Sequence, residues 1–369
     1  MGISFRAAVS RTAGKPLVVE TVECAAPRAG DVLVRMEATS ICHTDLEVLD
    51  GTMPFPLPMI LGHEGAGIVE AVGAGVTTPV VGERVVLSWN PHCGECYFCA
   101  QDQPILCSQF VANLPAGFHF DGEPRIFSGG KPLHTLMYIG TFGQYCVVRS
   151  QMAVPVPMEL PPDRACLLGC AVMTGFGATT NVAPVTPGSS VMVIGCGAIG
   201  LSAIQGARVA GAARILAVDL DDQKLARARQ LGASDTCRIG AGDPLIAAHS
   251  ISHGRGADYV FECAGHPDAF RLAVAGARAG GNVVWLGKVA ASTEVSFPWG
   301  SLMGERRLVR SSYGGARPHR DFPRLAEAYL TGALLLDELV TARVTLDEIN
   351  TGFDALRDGD AVRTVIMLD

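Results

Sequence analysis

The amino-acid sequence predicts an α/β protein in which a β-rich domain accompanies a doubly wound parallel sheet. The chain has 369 residues, a length that corresponds to two domains at roughly 150 residues each. Hydrophobic residues form 49% of the chain, which is enough apolar material for two cores. The pattern changes near Ser190, from short strands to strands that alternate with helices.

The first 170 residues or so predict the β-rich domain. Short β-type runs such as 32–36 and 82–87 are separated by glycine and proline, which favour turns and irregular loops.

The remaining chain predicts the parallel sheet, because apolar strands and helices alternate along it. Strands are predicted at 191–194, 214–218, 259–261 and 283–286, and helices at 198–210, 223–231 and 267–279. Beyond Gly314 we expect helices at 322–330 and 346–356 and a closing strand at 364–368.

Charge and hydropathy argue against two classes of partner. The formal net charge is -7, with acidic and basic residues interspersed, so no nucleic-acid partner is expected. Residues 1–9 lack a long apolar segment, and no run reaches 18 uninterrupted apolar residues. We therefore expect a cytoplasmic protein with no membrane partner, in which the 12 cysteines favour metal binding over disulfides.

A dinucleotide site is predicted where the first strand of the parallel sheet meets its helix. Gly195, Gly197 and Gly200 form G-x-G-x-x-G between that strand and helix, the context in which the motif has meaning. The first glycine permits a tight turn, the second lets backbone amides approach a pyrophosphate, and the third lets helix and strand pack closely. The helix N-terminus adds partial positive charge for the diphosphate.

Asp219 predicts which dinucleotide binds. It ends the next predicted strand, about 20 residues beyond the motif, where a carboxylate accepts hydrogen bonds from the adenosine ribose hydroxyls. It would repel a 2′-phosphate, and Leu220, Asp221 and Asp222 offer no compensating arginine. The sequence therefore favours NAD over NADP.

Four cysteines lie close together in the β-rich part. Cys93, Cys96, Cys99 and Cys107 have the spacing C-x2-C-x2-C-x7-C, and four thiolates can surround one tetrahedral Zn²⁺. Disulfides between such close neighbours would be strained, whereas an iron–sulfur cluster stays possible by ligand count. A site closed by four thiolates leaves no position for substrate, so we expect a structural zinc.

Further motifs carry a resemblance to a known family. The first motif is Cys42-His43-Thr44-Asp45. The second, G-H-E-x2-G-x5-G, begins with Gly62-His63-Glu64 and includes Gly67 and Gly73. Two shorter pairs follow further along the chain, Gly169-Cys170 and Arg363-Thr364. In this order, with the four cysteines and the glycine motif, the chain resembles the zinc-dependent medium-chain alcohol dehydrogenases, and among them the dimeric, long-chain-type members. The resemblance implies a GroES-like catalytic domain at 1–171 and 315–369 and an NAD-binding Rossmann domain at 172–314.

The resemblance also implies a catalytic zinc held by Cys42, His63 and Cys170, since two cysteines and one histidine are the known ligand set of alcohol dehydrogenases. With the four-cysteine site, this makes two zinc ions per subunit. A zinc-bound oxygen ionises near pH 7, so the metal would yield an alkoxide that gives hydride to nicotinamide.

Four acid–base and positioning roles follow from the same alignment. Asp45 corresponds to the carboxylate that orients the His63 ring, and Glu64 to the acid behind the metal; either could instead be a turn or cap residue. Thr44 corresponds to the hydroxyl that passes the alcohol proton towards the cofactor ribose. Glu47 stands where many relatives have a histidine that delivers this proton to solvent, and a solvated surface carboxylate is the alternative.

Other aligned positions imply contacts to cofactor and substrate. His43, Lys224 and Arg363 correspond to residues at the pyrophosphate and adenosine ribose, and Thr174 and Ile199 to residues on the nicotinamide side. Residues expected to line an apolar substrate pocket are Met53, Trp89, Val111, Ala112, Leu136 and Met137. Lys288 stands beside the pocket, where it could contact cofactor, a substrate carboxylate or solvent.

The expected reaction is the reversible oxidation of primary aliphatic, allylic or aromatic alcohols to aldehydes with NAD. Relatives that oxidise the glutathione adduct of formaldehyde have Asp and Arg at the positions of Met53 and Val111, which argues against glutathione but not against another carrier thiol. A carrier-thiol-dependent formaldehyde dehydrogenase is thus the first alternative, and a zinc-stabilised binding protein the second. The long connection at 107–142 implies a homodimer, with 283–286 and 301–311 near its interface.

Overall fold

A computed structural model describes residues 2–113, 117–119, 121–359 and 361–368, with the side chains of 111–113 not included. The chain forms two compact units. The first contains Met1–Cys170, Arg317–Gly332 and Leu336–Asp369, and the second contains Ala171–Ala316 and Ala333–Leu335.

Strands and helices succeed one another along the chain as follows. The strands are β1 (Ile3–Ser10), β2 (Val18–Cys24), β3 (Asp31–Ser40), β4 (Met59–Ile60), β5 (Glu64–Val72), β6 (Arg84–Leu87), β7 (Ile126–Ser128), β8 (Lys131–Thr135), β9 (Tyr145–Arg149), β10 (Ala153–Pro155), β11 (Ser190–Ile194), β12 (Arg214–Asp219), β13 (Asp235–Arg238), β14 (Ala257–Glu262), β15 (Ala277–Trp285), β16 (Arg307–Arg310), β17 (Val340–Thr345) and β18 (Arg363–Met367). The α-helices are α1 (His43–Leu49), α2 (Tyr97–Ala100), α3 (Ser108–Asn113), α4 (Pro162–Leu167), α5 (Met173–Gly177), α6 (Ala198–Val209), α7 (Asp222–Gln230), α8 (Pro244–Ser250), α9 (Pro267–Gly276), α10 (Pro318–Leu330) and α11 (Ile349–Arg357).

The first unit is built on β-sheets. In the described part of the chain, β1, β2, β7, β8 and β4 close into a barrel, and a second sheet has the order β10-β6-β5-β3-β18-β17 with β9 also paired to β3. The long strand β3 is largely buried because β5, β9 and β18 all pair with it. One apolar core lies beneath these strands and includes Met36, Ile60 and Phe142.

The second unit contains the parallel sheet. Among the described residues its strand order is β13-β12-β11-β14-β15-β16, and each pairing is parallel. Every residue of β11 is buried, as expected for a strand with both faces covered by helices. Aspartates cap two of those helices: Asp221 accepts from the Gln223 amide at 2.7 Å, and Asp243 accepts from the Leu245 amide at 2.8 Å.

The predicted fold class is confirmed, but several elements differ from the prediction. The helix predicted at 267–279 ends at Gly276, where β15 begins. Four elements were not predicted from the sequence: β13, α8, β16 and the helical segment Pro162–Val182. Among the described residues this segment alone is long and apolar enough to cross a membrane, but 72% of its apolar window is buried inside the structure, as in a core helix.

Candidate functional site

The three predicted catalytic-zinc ligands come together in the first unit. Cys42 is the N-cap of α1, His63 directly precedes β5, and Cys170 lies in a π-helical turn, Leu168–Val172, that continues α4. Their ligand atoms, together with a carboxylate oxygen of Glu64, all lie within 4.8 Å of one another. π-Helical turns are rare and frequent at functional sites, and this one carries the third ligand.

Asp45 fixes the orientation of the His63 ring. Its Oδ1 lies 3.0 Å from His63 Nδ1 and also accepts the Gly62 amide at 3.0 Å, while Oδ2 accepts the Cys42 amide at 3.0 Å. Both side chains are almost completely buried. The Asp45 carboxylate occupies Nδ1, so Nε2 is the ring nitrogen left to bind a metal.

A buried ion pair lies against the same group. Arg363 donates to both oxygens of Glu64, at 3.2 Å each, and its Nη2 lies 3.7 Å from Cys42 Sγ. Burial raises the pKa of Glu64 to about 7, although the guanidinium of Arg363 opposes this shift. Burial also lowers the pKa of Arg363, but the Glu64 carboxylate and the two thiols outweigh it and hold that pKa above its usual value.

The thiols are prepared for a divalent cation. A hydrogen bond from Cys170, against the effect of burial, holds the pKa of Cys42 well below its usual value, and the charges of Arg363 and His63 act in the same direction. The same hydrogen bond raises the pKa of Cys170, and burial and the Cys42 charge act in the same direction. Two sulfurs and one imidazole nitrogen form a donor set that suits Zn²⁺ and leaves a fourth position for an oxygen ligand.

The four-cysteine group also fits zinc. Four sulfurs placed about 2.3 Å from one central ion have tetrahedral edges of about 3.8 Å. The Sγ atoms of Cys96 and Cys99 are 3.5 Å apart, and those of Cys93 and Cys99 are 3.9 Å apart. All the cysteines are free, and amides of Cys93 and Cys96 donate to Cys107 Sγ and Cys93 Sγ at 3.3 Å.

The second unit contains the predicted glycine turn. Gly195 has φ +89°, and a Cβ on Gly200 would lie 1.8 Å from the Gly195 carbonyl oxygen, so both positions require glycine. A Cβ on Gly197 would meet nothing within 4 Å, which leaves the surface above its amide open to a ligand.

Asp219 lies beside this turn at the end of β12. Its Oδ2 accepts the Cys196 amide at 2.6 Å, and its Oδ1 accepts the Leu220 amide at 2.7 Å. It lines a cavity of about 460 Å³ with mainly apolar walls, which the sequence analysis did not predict. Residues that line this cavity include Asp219, Leu220, Ile239, Ala264, His266 and Asp268.

Other predicted cofactor and relay residues occupy varied positions. In the first unit His43 is exposed, whereas Thr44 and Glu47 are half-buried on α1. In the second unit Thr174 is buried and Lys224 and Ile199 are half-buried. Arg363, expected to contact the cofactor, lies instead in the buried pair with Glu64, and its cofactor contact stays a prediction.

The predicted pocket residues divide into three groups. Met53, Trp89 and Met137 are half-buried and pack against the core of the first unit, while Leu136 is fully buried in that core. The side chains of Val111 and Ala112 lie outside the described residues. Lys288 belongs to the second unit, where it is exposed.

Sequence reasoning missed two interactions of charged groups. It did not pair Arg363 with Glu64, because nothing local joins positions 299 apart. It also passed over Glu262, a completely buried acid at the end of β14. The available signal was a charged residue directly after the apolar run 259–261.

Both parts of the chain match known protein families. Residues 28–158 match the alcohol dehydrogenase GroES-like domain, and residues 198–331 match the zinc-binding dehydrogenase family. The alcohol dehydrogenase class-3 of Myxine glutinosa is 40% identical over 99% of this chain and 98% of its own length. The S-(hydroxymethyl)glutathione dehydrogenase of Aspergillus oryzae (strain ATCC 42149 / RIB 40) is also 40% identical, over 98% and 95%. The benzyl alcohol dehydrogenase of Acinetobacter calcoaceticus is 32% identical, with a TM-score of 0.94 over 100% of both chains.

Proposed function

The chain belongs to the zinc-dependent medium-chain alcohol dehydrogenase family, and from this membership we propose that it oxidises primary alcohols to aldehydes reversibly, with NAD as hydride acceptor. The observation that carries the proposal is the group formed by Cys42, His63 and Cys170, whose ligand atoms lie within 4.8 Å of one another. This is a donor set for a zinc site with an open position, as catalysis requires.

In this proposal the two metal groups have different tasks. Cys42, His63 and Cys170 hold the catalytic zinc, and the four cysteines from Cys93 to Cys107 hold the structural zinc. A bound catalytic zinc lowers the pKa of an alcohol hydroxyl and polarises an aldehyde carbonyl.

The protein groups around the catalytic site orient ligands and move protons. Asp45 holds the His63 ring through the 3.0 Å contact to Nδ1. Arg363 supplies a fixed positive charge beside Cys42 and neutralises Glu64. Thr44, on the first turn of α1 after Cys42, passes the alcohol proton towards the cofactor ribose, and Glu47, one turn further along that helix, delivers it to solvent.

We assign the dinucleotide to the second unit. The open surface at Gly197 and the N-terminus of α6 accept the pyrophosphate, and Asp219 binds the adenosine ribose. Lys224, Ile199 and Thr174 of the same unit make further contacts. The acidic Asp219 disfavours the 2′-phosphate of NADP.

The substrate class we propose is the primary aliphatic, allylic or aromatic alcohol. Support comes from the apolar residues Met53, Trp89 and Met137 and from the likeness to a benzyl alcohol dehydrogenase. A carrier-thiol-dependent formaldehyde dehydrogenase is the second candidate, favoured by the likeness to an S-(hydroxymethyl)glutathione dehydrogenase. Met53 and Val111 stand against glutathione itself, since neither carries the charge that such relatives have there.

We also propose a homodimer. The strand β16 lies at the edge of the parallel sheet in the described part of the chain and leaves backbone groups free to pair with another copy. Next to it, Trp299 and Met303 are 84% and 60% exposed and line a concavity of about 560 Å³. Exposed apolar side chains beside an edge strand favour association.

The test is NAD reduction by the zinc-loaded protein with benzyl alcohol, cinnamyl alcohol, hexanol and ethanol, each with and without glutathione. Thiol-independent turnover that disappears in Cys42→Ser supports the proposal, and the rank order of the alcohols describes the pocket. Turnover that requires a thiol together with formaldehyde would replace it with the second candidate.

A further inference from the structure

Glu262 ties together two segments at one edge of the parallel sheet. Its Oε1 accepts the amides of Ala264 and Gly265 at 2.8 and 2.7 Å. Its backbone carbonyl accepts the amides of Leu286 and Gly287 at 2.7 and 3.0 Å. The turn that follows β14 is therefore held to the segment that follows β15 by this one residue.

The same turn packs tightly against its surroundings. A Cβ on Gly195 would lie 2.8 Å from the Ala264 nitrogen and 2.9 Å from its Cα. A Cβ on Gly287 would lie 2.2 Å from the Gly265 nitrogen and 2.5 Å from Glu262 Oε2. Since no free space separates these backbones, a shift of the turn must move the first glycine of the nucleotide motif or its neighbours.

The turn also forms one wall of the cavity beside Asp219. Ala264, His266 and Asp268 follow Glu262 directly and line that cavity. His266 begins α9, where its Nδ1 accepts the Asp268 amide at 3.2 Å. The positions of all three depend on where the turn after β14 is held.

Stability alone does not explain a carboxylate at this position. Glu262 is completely buried, and its Oε2 has no hydrogen-bond partner among the described residues. Burial raises the pKa of Glu262, although the amides of Gly265 and Ala264 and the charge of Arg310 oppose it. An apolar side chain of similar size would avoid this desolvation cost but would leave the amides of Ala264 and Gly265 without this acceptor, so what the carboxylate provides is the hold on the turn.

We propose that Glu262 is a positioning residue for the adenosine half of NAD: it holds the turn after β14 so that Ala264, His266 and Asp268 line the cavity beside Asp219. Its carboxylate serves as an acceptor for two turn amides and does not touch the nucleotide. The inference rests on the proposed dinucleotide function of the second unit.

The experiment measures binding of ADP-ribose, which carries the adenosine half but no nicotinamide, to the zinc-loaded full-length protein by calorimetry. Glu262→Met removes the acceptor at nearly constant volume, and Glu262→Gln keeps one oxygen that can accept both amides. Asp258→Asn is the matched control, since Asp258 lies at the opposite end of β14 and caps the Ser190 amide at 2.7 Å.

We expect Glu262→Met to weaken ADP-ribose binding at least tenfold and to raise the KM for NAD with little change in kcat. Glu262→Gln should recover most of the affinity. Asp258→Asn should lower the melting temperature but leave ADP-ribose affinity unchanged. Gly287→Ala displaces the turn without removing the carboxylate, so it should weaken ADP-ribose binding as Glu262→Met does. It is the second test of the proposal if Glu262→Met does not fold.

Wild-type affinity in Glu262→Met or in Gly287→Ala would overturn the positioning role, while binding by the unaltered protein would leave the dinucleotide proposal intact. Equal loss in Glu262→Met and Asp258→Asn would assign the effect to stability and also overturn it. If the unaltered protein does not bind ADP-ribose, the dinucleotide proposal fails, and the role of Glu262 fails with it.

Discussion

The two cysteine-containing groups of the first unit both bring metal ligands together, but they are assembled from different parts of the chain and held by different contacts. The four-cysteine group comes from one short segment, 93–107, and three of its cysteines are half-buried. The group of Cys42, His63 and Cys170 comes from three distant segments, and two of its three residues, Cys42 and His63, are buried. In the first group backbone amides contact the sulfurs, whereas in the second Asp45 and Arg363 do much of the positioning.

This difference also affects the charge of the two groups. In the four-cysteine group, backbone hydrogen bonds lower the pKa of Cys96 to about 5, while burial, together with the neighbouring thiols Cys96 and Cys107, raises the pKa of Cys99 to about 12. Full ionisation there depends on a bound cation. The catalytic group has Arg363 beside Cys42, so part of the compensating charge belongs to the protein itself. Cys170 has a raised pKa as Cys99 does, so both groups need a cation for full ionisation, but in the assembled group the Cys170 hydrogen bond and Arg363 already hold the pKa of Cys42 low before a metal binds.

The largest expected effect is a loss of turnover when a ligand of the catalytic group is replaced, which a replacement in the four-cysteine group should not reproduce in the same way. Cys42→Ser should lower kcat by at least about 10³-fold, because the zinc loses a ligand and with it several kcal/mol of transition-state stabilisation, while the melting temperature changes little. Cys96→Ser should show the opposite pattern, with lost zinc and a lowered melting temperature. The measurements are steady-state kinetics, metal content and calorimetry; equal loss of stability in both variants would contradict the assignment.

The next effect tests the buried pair. Arg363→Met should lower the free energy of unfolding by about 3–5 kcal/mol, since it removes the guanidinium that pairs with both oxygens of the buried Glu64 carboxylate. The double variant Arg363→Met/Glu64→Gln should recover much of this loss, which denaturant unfolding can measure. Similar stability of the single and double variants would show that Glu64 does not depend on the guanidinium.

A pH effect follows from Glu64 in the metal-free protein. Its pKa is raised to about 7, so folding favours the protonated acid, and that stabilisation is present below about pH 4.5 and lost as pH rises through 7. The contribution is at most about 3 kcal/mol. Urea unfolding across this pH range should show the decline in the unaltered protein and a smaller one in Glu64→Gln. Identical pH profiles would argue against a raised pKa.

The smallest expected effect concerns how Asp45 orients the ring of His63, a ligand of the catalytic zinc. Asp45→Asn should lower zinc affinity or turnover by about 10- to 100-fold, because the amide no longer holds His63 as the carboxylate does. Asp50→Asn is the matched control: Asp50 follows the same helix and pairs with Arg357 at the surface. Metal titration and kinetics should leave that control unchanged, and an unchanged Asp45→Asn would remove the orienting role.

Elements that are marked by local sequence patterns were predicted, whereas strands that depend on pairing with distant residues were missed. The strands β11, β12 and β14 and the helix α6 were predicted because apolar runs and a glycine motif are local signals. The strands β13 and β16 were missed, since one is four residues with two charges and the other is exposed and rich in arginine. Their strand conformation depends on pairing with neighbours.

The sequence by itself determined which residue types stand at each ligand position and which turns require glycine, because spacing within a few residues limits local geometry. It therefore identified the four-cysteine group, the glycine turn and Asp219. Only the tertiary structure decided that Arg363 pairs with Glu64 and that Glu262 joins two turns of the nucleotide unit. Those partners meet through strand order and backbone packing, and no pattern along the chain records either.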